Sequence, residues 1–203
     1  LRVKLRTLTA RNEFDMQFNL NHMLFVGFMA LLIGCGGVED RKAAYMNKGR
    51  SLFEQGNYEK ARLEFKNVLQ IDPKDLEARL ELAQTLEKLQ NWQEAARQYM
   101  AIIGEDENHR GALLNFGRLL LLSGADERAQ ENAEKILQLA PDDQDALVLL
   151  AGVRAKAGDR DAARDLSRRV IDSNPQNAEA ASLMSSLLLG DGKVDESIAL
   201  LQS

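Results

Sequence analysis

The chain has 203 residues, with 26 basic against 31 acidic, one cysteine and two histidines. The acidic balance makes it a poor partner for nucleic acid or anionic lipid, and it holds no basic patch with interleaved aromatics. One cysteine excludes a disulfide framework, and so few thiols and imidazoles leave no set for a transition metal or a Cys/His nucleophile.

At the front, Arg2, Lys4, Arg6 and Arg11 precede an uncharged apolar run over residues 23–33. As a helix rising ~1.5 Å per residue, the run is too short for a hydrocarbon core of ~30 Å; it suits the apolar stretch of a secretory signal. Because Leu1 is not methionine, the start is sought at Met16 or upstream. The run ends in Leu32-Ile33-Gly34-Cys35, which resembles the lipobox of bacterial lipoproteins. The resemblance implies residues 1–34 as leader and signal peptide, cleavage before Cys35, and a diacylglycerol-bearing thiol. The competing reading buries Cys35 in an N-terminal helix, but Gly34, Gly36 and Gly37 argue against a helix there.

By the same resemblance, Gly36 after the cysteine implies sorting to the outer membrane, with the remaining chain in the periplasm. Several acyl chains, at ~0.8 kcal/mol per buried CH₂, make such an anchor close to permanent. Residues 35–41 are then the lipidated end and a tether reaching roughly 20 Å at most. Without residues 1–34, which hold four of the basic and two of the acidic residues, 22 and 29 remain, a net of −7.

From Lys42 onward the chain repeats every 34 residues. Ala61, Ala95, Ala129 and Ala163 share one place; Gly49, Ala83, Gly117, Ala151 and Ser185 share a second small place. A turn place holds Gly56, Gly124, Gly158 and Gly192, with Gln90 the exception. A branched place holds Val68, Ile102, Ile136 and Val170, and a unit-ending place holds Pro73, Glu107, Pro141 and Pro175. Each unit is apolar at helical spacing in both halves: Leu80, Leu82 and Leu86, or Leu113, Phe116 and Leu120, in the first, and Tyr58, Ala61, Phe65 and Val68 in the second. The turn glycines end the first helix, and the prolines stop the second. Small residues at the two fixed places let paired helices approach to roughly 8–10 Å.

This pattern resembles the tetratricopeptide repeat (TPR) over residues 42–203. It is strongest in the first unit, at Tyr45, Gly49, Tyr58, Ala61, Phe65 and Pro73, and weaker in the fourth, at Arg154 and Ser167. The resemblance implies an all-α, right-handed solenoid of antiparallel helix pairs, with the signal segment outside it. The units are 42–75, 76–109, 110–143, 144–177 and a partial 178–203. Leu187, Leu188, Ile198 and Leu201 are expected to lack cover at the far end, so a continuing chain, a partner or a second copy is expected there.

The search for chemistry finds little. His109 follows Glu105, Asp106 and Glu107, an inter-repeat loop with no second His or Cys to complete a metal set. Asp142 and Asp143 sit at a helix start, where the helix dipole favours them. Phosphate loops and dinucleotide fingerprints are absent. No cofactor, metal or small-molecule substrate is expected, and the chain reads as a non-enzyme.

The TPR resemblance instead implies a concave groove lined by the first helix of each unit. Its places give Met46, Arg50 and Phe53; Leu80, Gln84 and Glu87; Leu114, Arg118, Leu121 and Leu122; Val148, Gly152 and Lys156. Asn47 and Asn115 are expected to hydrogen-bond the backbone of an extended peptide. Arg50 and Arg118 share one strip two units apart. Leu121 and Leu122 have a competing reading as contacts between neighbouring helices. The basic clamp of chaperone-binding TPR domains is missing, since Ala43, Glu77, Gly111 and Asp145 hold the second place and no lysine the fifth.

A lipobox, a short tether and tandem repeats together resemble the TPR lipoproteins of exosortase (PEP-CTERM) and exopolysaccharide-export systems, the stretch from Gly56 to Pro73 most of all. The resemblance implies an outer-membrane scaffold that binds protein partners. The alternatives are a pilotin-like lipoprotein for type IV pilus secretin assembly, and a docking arm for a catalytic domain downstream.

Overall fold

Small residues decide where helices meet in this chain. Ala61, Ala95, Ala129 and Ala163 are all fully buried, and the small residue twelve places before each, at Gly49, Ala83, Gly117 and Ala151, is buried too. The computed structural model describes residues 37–202; the leader, the apolar run, Cys35 and Ser203 lie outside them. Among the described residues there are ten helices: α1 (37–54), α2 (Tyr58–Ile71), α3 (Leu76–Lys88), α4 (Trp92–Glu105), α5 (Arg110–Ser123), α6 (Asp126–Leu139), α7 (Gln144–Lys156), α8 (Arg160–Ser173), α9 (Ala178–Gly190) and α10 (Val194–Gln202). They form antiparallel pairs, each packed on the next, in the solenoid the repeat implies.

Two kinds of turn alternate. Inside each pair the chain reverses through a left-handed residue: Gly56, Gly124, Gly158 and Gly192 have φ of 74–86°, and Gln90 adopts the same conformation at 58°. Glycine accepts this backbone freely, while Gln90 holds it under strain. Between pairs, the second helix ends in an extended residue at Asp72, Asp106, Ala140 or Asn174, and the next helix opens on a side-chain cap. Asp75, His109, Asp143 and Asn177 accept from the backbone N–H of Ala78, Ala112, Ala146 and Ala180 at 2.9–3.2 Å. His109 is therefore a capping residue standing where its equivalents are Asp or Asn.

The larger residues thin out along the array. Phe65 and Tyr99 are fully buried at one place of units one and two, and the same place holds Ala133 and Ser167 further on. The Ser167 hydroxyl donates to the Ala163 carbonyl at 2.8 Å, so its burial leaves no unmet donor. In the fifth unit two hydroxyls, of Ser185 and Ser197, meet at 2.7 Å where the other units place Gly and Ala.

Two expectations are corrected. Residues 37–41 are not an extended tether: they are the first turn of α1, with the Arg41 Nε donating to the Gly37 carbonyl at 3.1 Å. A helix advances only ~1.5 Å per residue, so this segment brings the array closer to whatever precedes it. Leu187 and Leu188 do not lack cover either, being buried inside the α9–α10 pair, whereas Ile198 and Leu201 are 48% and 61% exposed. Among the described residues no helix is long and apolar enough to cross a membrane.

Candidate binding groove

First helices face inward. α5 touches α7 and α7 touches α9, and among the described residues no comparable contact joins one second helix to another. The first helices thus crowd together on an inner surface while the second helices splay on the outer one. That geometry follows from the sequence, because helices meet closest where the residues between them are smallest.

The predicted groove residues separate into three groups. Leu114 is 4% exposed and packs with Leu113, Ala133, Ile136, Ala146 and Leu149, so it belongs to the core and not to an open surface. Phe53 stacks edge-on against Tyr58 at 5.2 Å, which commits it to the α1–α2 turn. Leu80 packs inward and stands over Gly111, whose missing Cβ leaves it room. These three hold helices together. Gln84 and Asn115 are half-buried.

Met46, Asn47 and Arg50 line a polar hollow of about 310 Å³ with Glu39, Lys42, Ala43, Asp75 and Glu77. Met46 forms its buried floor and Asn47 is exposed at its rim.

The third group surrounds the larger hollow, about 500 Å³, between α5, α7 and α9. Its lining combines Leu121, Leu122, Val148 and Leu183 with Gly152, Ser182 and Ser186 and a rim of Arg118 and Glu179. The cause is legible at one repeated place, which carries Arg50, Gln84, Arg118, Gly152 and Ser186 in successive units. Where the long polar chains stop, the surface opens. A Cβ added to Gly152 would lie 3.1 Å from a methyl of Leu121, so the hollow's floor is already closed by that leucine. Leu122 is 80% exposed and lies between this hollow and a smaller apolar one beside Trp92, itself 46% exposed. Leu122 is thus surface and Leu121 a partial helix contact. Another cavity, of about 400 Å³, lies at the far end between α8, α9 and α10, away from the inner surface.

The two arginines expected to face a ligand are already engaged. Arg50 pairs with Glu77 and, at 2.8 Å, with Glu81 of α3, which holds its guanidinium above the ordinary range. Arg118 reaches Asp145 of α7 at 3.6 Å and Glu179 of α9 at 2.6 Å. Lys156 is held by the Leu121 carbonyl and Asp126, both at 2.7 Å. On the loop edge, Lys42 and Arg110 open their units and reach forward to the next helix cap: Asp75 at 3.5 Å and Asp143 at 2.5 Å. The Arg110 guanidinium keeps the Asp143 carboxyl below its usual range.

Glu87 is different. Among the described residues no cation lies within ion-pair distance of it, and burial pushes its carboxyl above the usual range. It faces the buried Tyr99 hydroxyl, which also faces Asn115, forms no close hydrogen bond to either, and is itself pushed up by burial.

The carboxylates of Glu77, Asp145 and Glu179 are groove components that the sequence pattern does not single out, since at the second place it marks only the lack of a basic clamp. Arg50 to Glu77 and Arg118 to Asp145 share one spacing of 27 residues, and that recurrence is the available signal. Among the described residues no cluster of three or more His, Cys, Asp or Glu is placed to hold a metal ion.

A sequence profile of the tetratricopeptide repeat matches residues 52–115 and 120–187. No curated protein matches the chain. Among solved structures, PilF of Pseudomonas aeruginosa is similar with a TM-score of 0.70 and 21% identity, covering 81% of this chain and 76% of that one. MamA of Desulfovibrio magneticus RS-1 gives 0.67 and 18%, covering 80% and 92%. A thermophilic TPR protein of Thermus thermophilus gives 0.67 and 22%, covering 78% and 87%. At such identities the likeness is one of fold. With most of the array inside the profile, this chain belongs to the tetratricopeptide repeat family and is a protein–protein interaction scaffold.

Proposed function

We propose that the array captures an extended polypeptide segment along its inner surface while an acylated Cys35 holds it at the periplasmic face of a bacterial outer membrane. The observation that carries the binding half is the hollow over Gly152, an apolar recess with a polar rim on the surface where first helices converge. Exposed Leu122 and Trp92 extend it, as an interaction patch requires. Partner capture is expected to use side-chain pockets and the amides of Asn47 and Asn115, without a catalytic step.

The membrane half rests on Leu32-Ile33-Gly34-Cys35. Since α1 is already helical at residue 37, an anchor at Cys35 would hold the solenoid against the leaflet and not on a flexible leash. The system served is proposed to be an envelope secretion or assembly machine of the exosortase or exopolysaccharide-export kind. Support comes from the lipobox beside the array and from the likeness of Gly56 to Pro73 to first repeats of such lipoproteins.

Two variants separate the halves. Ser186→Trp fills the hollow from an exposed position, so partner pull-down should fall while thermal unfolding stays put. Undiminished pull-down would reject the groove. Cys35→Ser should move the protein out of the membrane fraction; palmitate labelling that persists in that variant would reject the anchor.

A further inference from the structure

We infer that the inner surface takes an electrically neutral, extended polypeptide segment with two apolar side chains, one seated over Gly152 and one against Trp92, straddling Leu122. This rests on the groove reading above and names the chemistry of its occupant. Charge decides the first part. The hollow over Gly152 is lined by one cation and one carboxylate, Arg118 and Glu179, and they close on each other at 2.6 Å. Asp145, which Arg118 also reaches, is held by Arg110 at 2.6 Å. Lys156 is engaged by Asp126 and the Leu121 carbonyl. The smaller hollow is lined by Trp92, Leu119, Leu122 and Ser123, with no charged residue among them. An incoming lysine or glutamate would lose water there and find no free counter-charge. An uncharged segment complements both hollows.

Shape and hydrogen bonding decide the rest. The hollows measure about 500 and 270 Å³, recesses for side chains and not for a folded face. Leu122, 80% exposed, stands between them as a ridge. On α9, Ser182 and Ser186 edge the larger hollow and are both exposed. Neither hydroxyl is engaged by another of the described residues, whereas those of Ser167 and Ser185 are. Four residues apart on a helix, the two lie ~6 Å apart along its axis. Alternate residues of an extended chain repeat every ~6.6 Å. Backbone amides of such a segment can therefore meet both hydroxyls, which are neutral donors and acceptors.

The test is fluorescence polarisation with the purified full chain at about 0.15 M salt. Labelled peptides of serine and threonine carry two leucines at varied spacing. The best of them is compared with the same peptide after one leucine is changed to alanine, and with versions whose leucines are flanked by lysines or by glutamates. The neutral two-leucine peptide should bind about tenfold more tightly than the one-leucine peptide and about threefold more tightly than either charged one. Trp92 is the only tryptophan in the chain, so its emission should move to the blue as the peptide covers it. Trp92→Ala should reduce the two-leucine advantage to about twofold. Met100→Ser, which removes an apolar side chain of the same fractional exposure further along α4, should keep it.

Equal or tighter binding of either charged peptide overturns the inference. So does a two-leucine advantage that is absent, or that Met100→Ser removes as fully as Trp92→Ala, and so does unmoved Trp92 emission. Self-association of the chain that Trp92→Ala abolishes would make a second copy the occupant and overturn it as well. Ser186→Trp separates these failures from failure of the groove itself. Where that variant abolishes binding of every peptide, the groove stands and only the chemistry of the occupant falls. If it leaves their binding intact, or if no peptide binds at all, both readings fall together.

Discussion

Arg118 and Glu179 are 61 residues apart and meet at 2.6 Å, spanning α7 from the first helix of unit three to that of unit five. The contact stands at the rim of the hollow that Gly152 also lines. It ties together curvature, pocket and charge: the inner surface is narrow enough there for alternate units to touch. Both partners are partly exposed, so the pair adds under about 1 kcal/mol and mainly sets the charge of the rim.

Gln90 is a strained residue where its four equivalents are glycine. Gln90→Gly should raise stability by about 0.5–1 kcal/mol, the relief of the left-handed backbone less the entropy of a freer unfolded chain. Urea unfolding of the variant checks this; a lowered midpoint would contradict it.

Gly49 and Gly117 occupy the same place in their units but should respond differently to alanine. A Cβ at Gly49 would lie 2.6 Å from the fully buried Phe65 ring, which has nowhere to go. Gly49→Ala is expected to cost about 1–3 kcal/mol. At Gly117 the obstacle is the end methyl of Leu149, which can swing aside, and alanine's better helix propensity returns about 1 kcal/mol. Gly117→Ala should come out near neutral. Thermal unfolding of the two variants side by side distinguishes them.

Acid should weaken the tie between the start of α5 and the cap of α7. Arg110 holds the folded Asp143 carboxyl below its ordinary value of about 3.9, so the stabilisation is complete above that pH. It fades as pH falls through the lowered value. Arg110→Gln should therefore cost up to about 1 kcal/mol at pH 7 and nearly nothing at about pH 2. Urea midpoints at the two pH values read the difference.

Glu87 behaves in the opposite sense. Burial raises its folded carboxyl above the ordinary value of about 4.3, so the folded chain binds that proton more tightly than the unfolded one. Stability is then lost as pH rises through the window between the two values, and the penalty is full above it. Glu87→Gln should raise the melting temperature at pH 7 and change it far less at about pH 4. An equal gain at both would place the effect elsewhere.

Much of the fold was legible because each repeated place has one physical job. Ala61, Ala95, Ala129 and Ala163 could be read as close contacts without coordinates, and Gln90 fell on the turn place despite being the wrong residue for it. Boundaries between repeat and tether were less legible: glycines near residue 37 argue against helix, yet α1 continues through that residue. The groove was legible in its track but not in its chemistry. Leu114 and Val148 occupy equivalent places, and only Val148 opens onto the large hollow, because the residue four places on is Gly152 in one unit and Arg118 in the other. Arg50 and Arg118 looked available when each unit was read alone. Their carboxylates lie one and two units ahead, beyond the reach of a single-repeat pattern. His109 likewise gained its role as a cap only from alignment with Asp75, Asp143 and Asn177.

The central claim is that the partner lies on the surface formed by first helices. The most direct measurement places a photoreactive amino acid at Leu122 or Leu183 on the inner surface, or at Glu131 or Asp165 on the outer one, and cross-links in cells. Adducts of one discrete mass from Leu122 and Leu183, and none from Glu131 or Asp165, are the predicted result. Adducts confined to the outer positions would contradict the account.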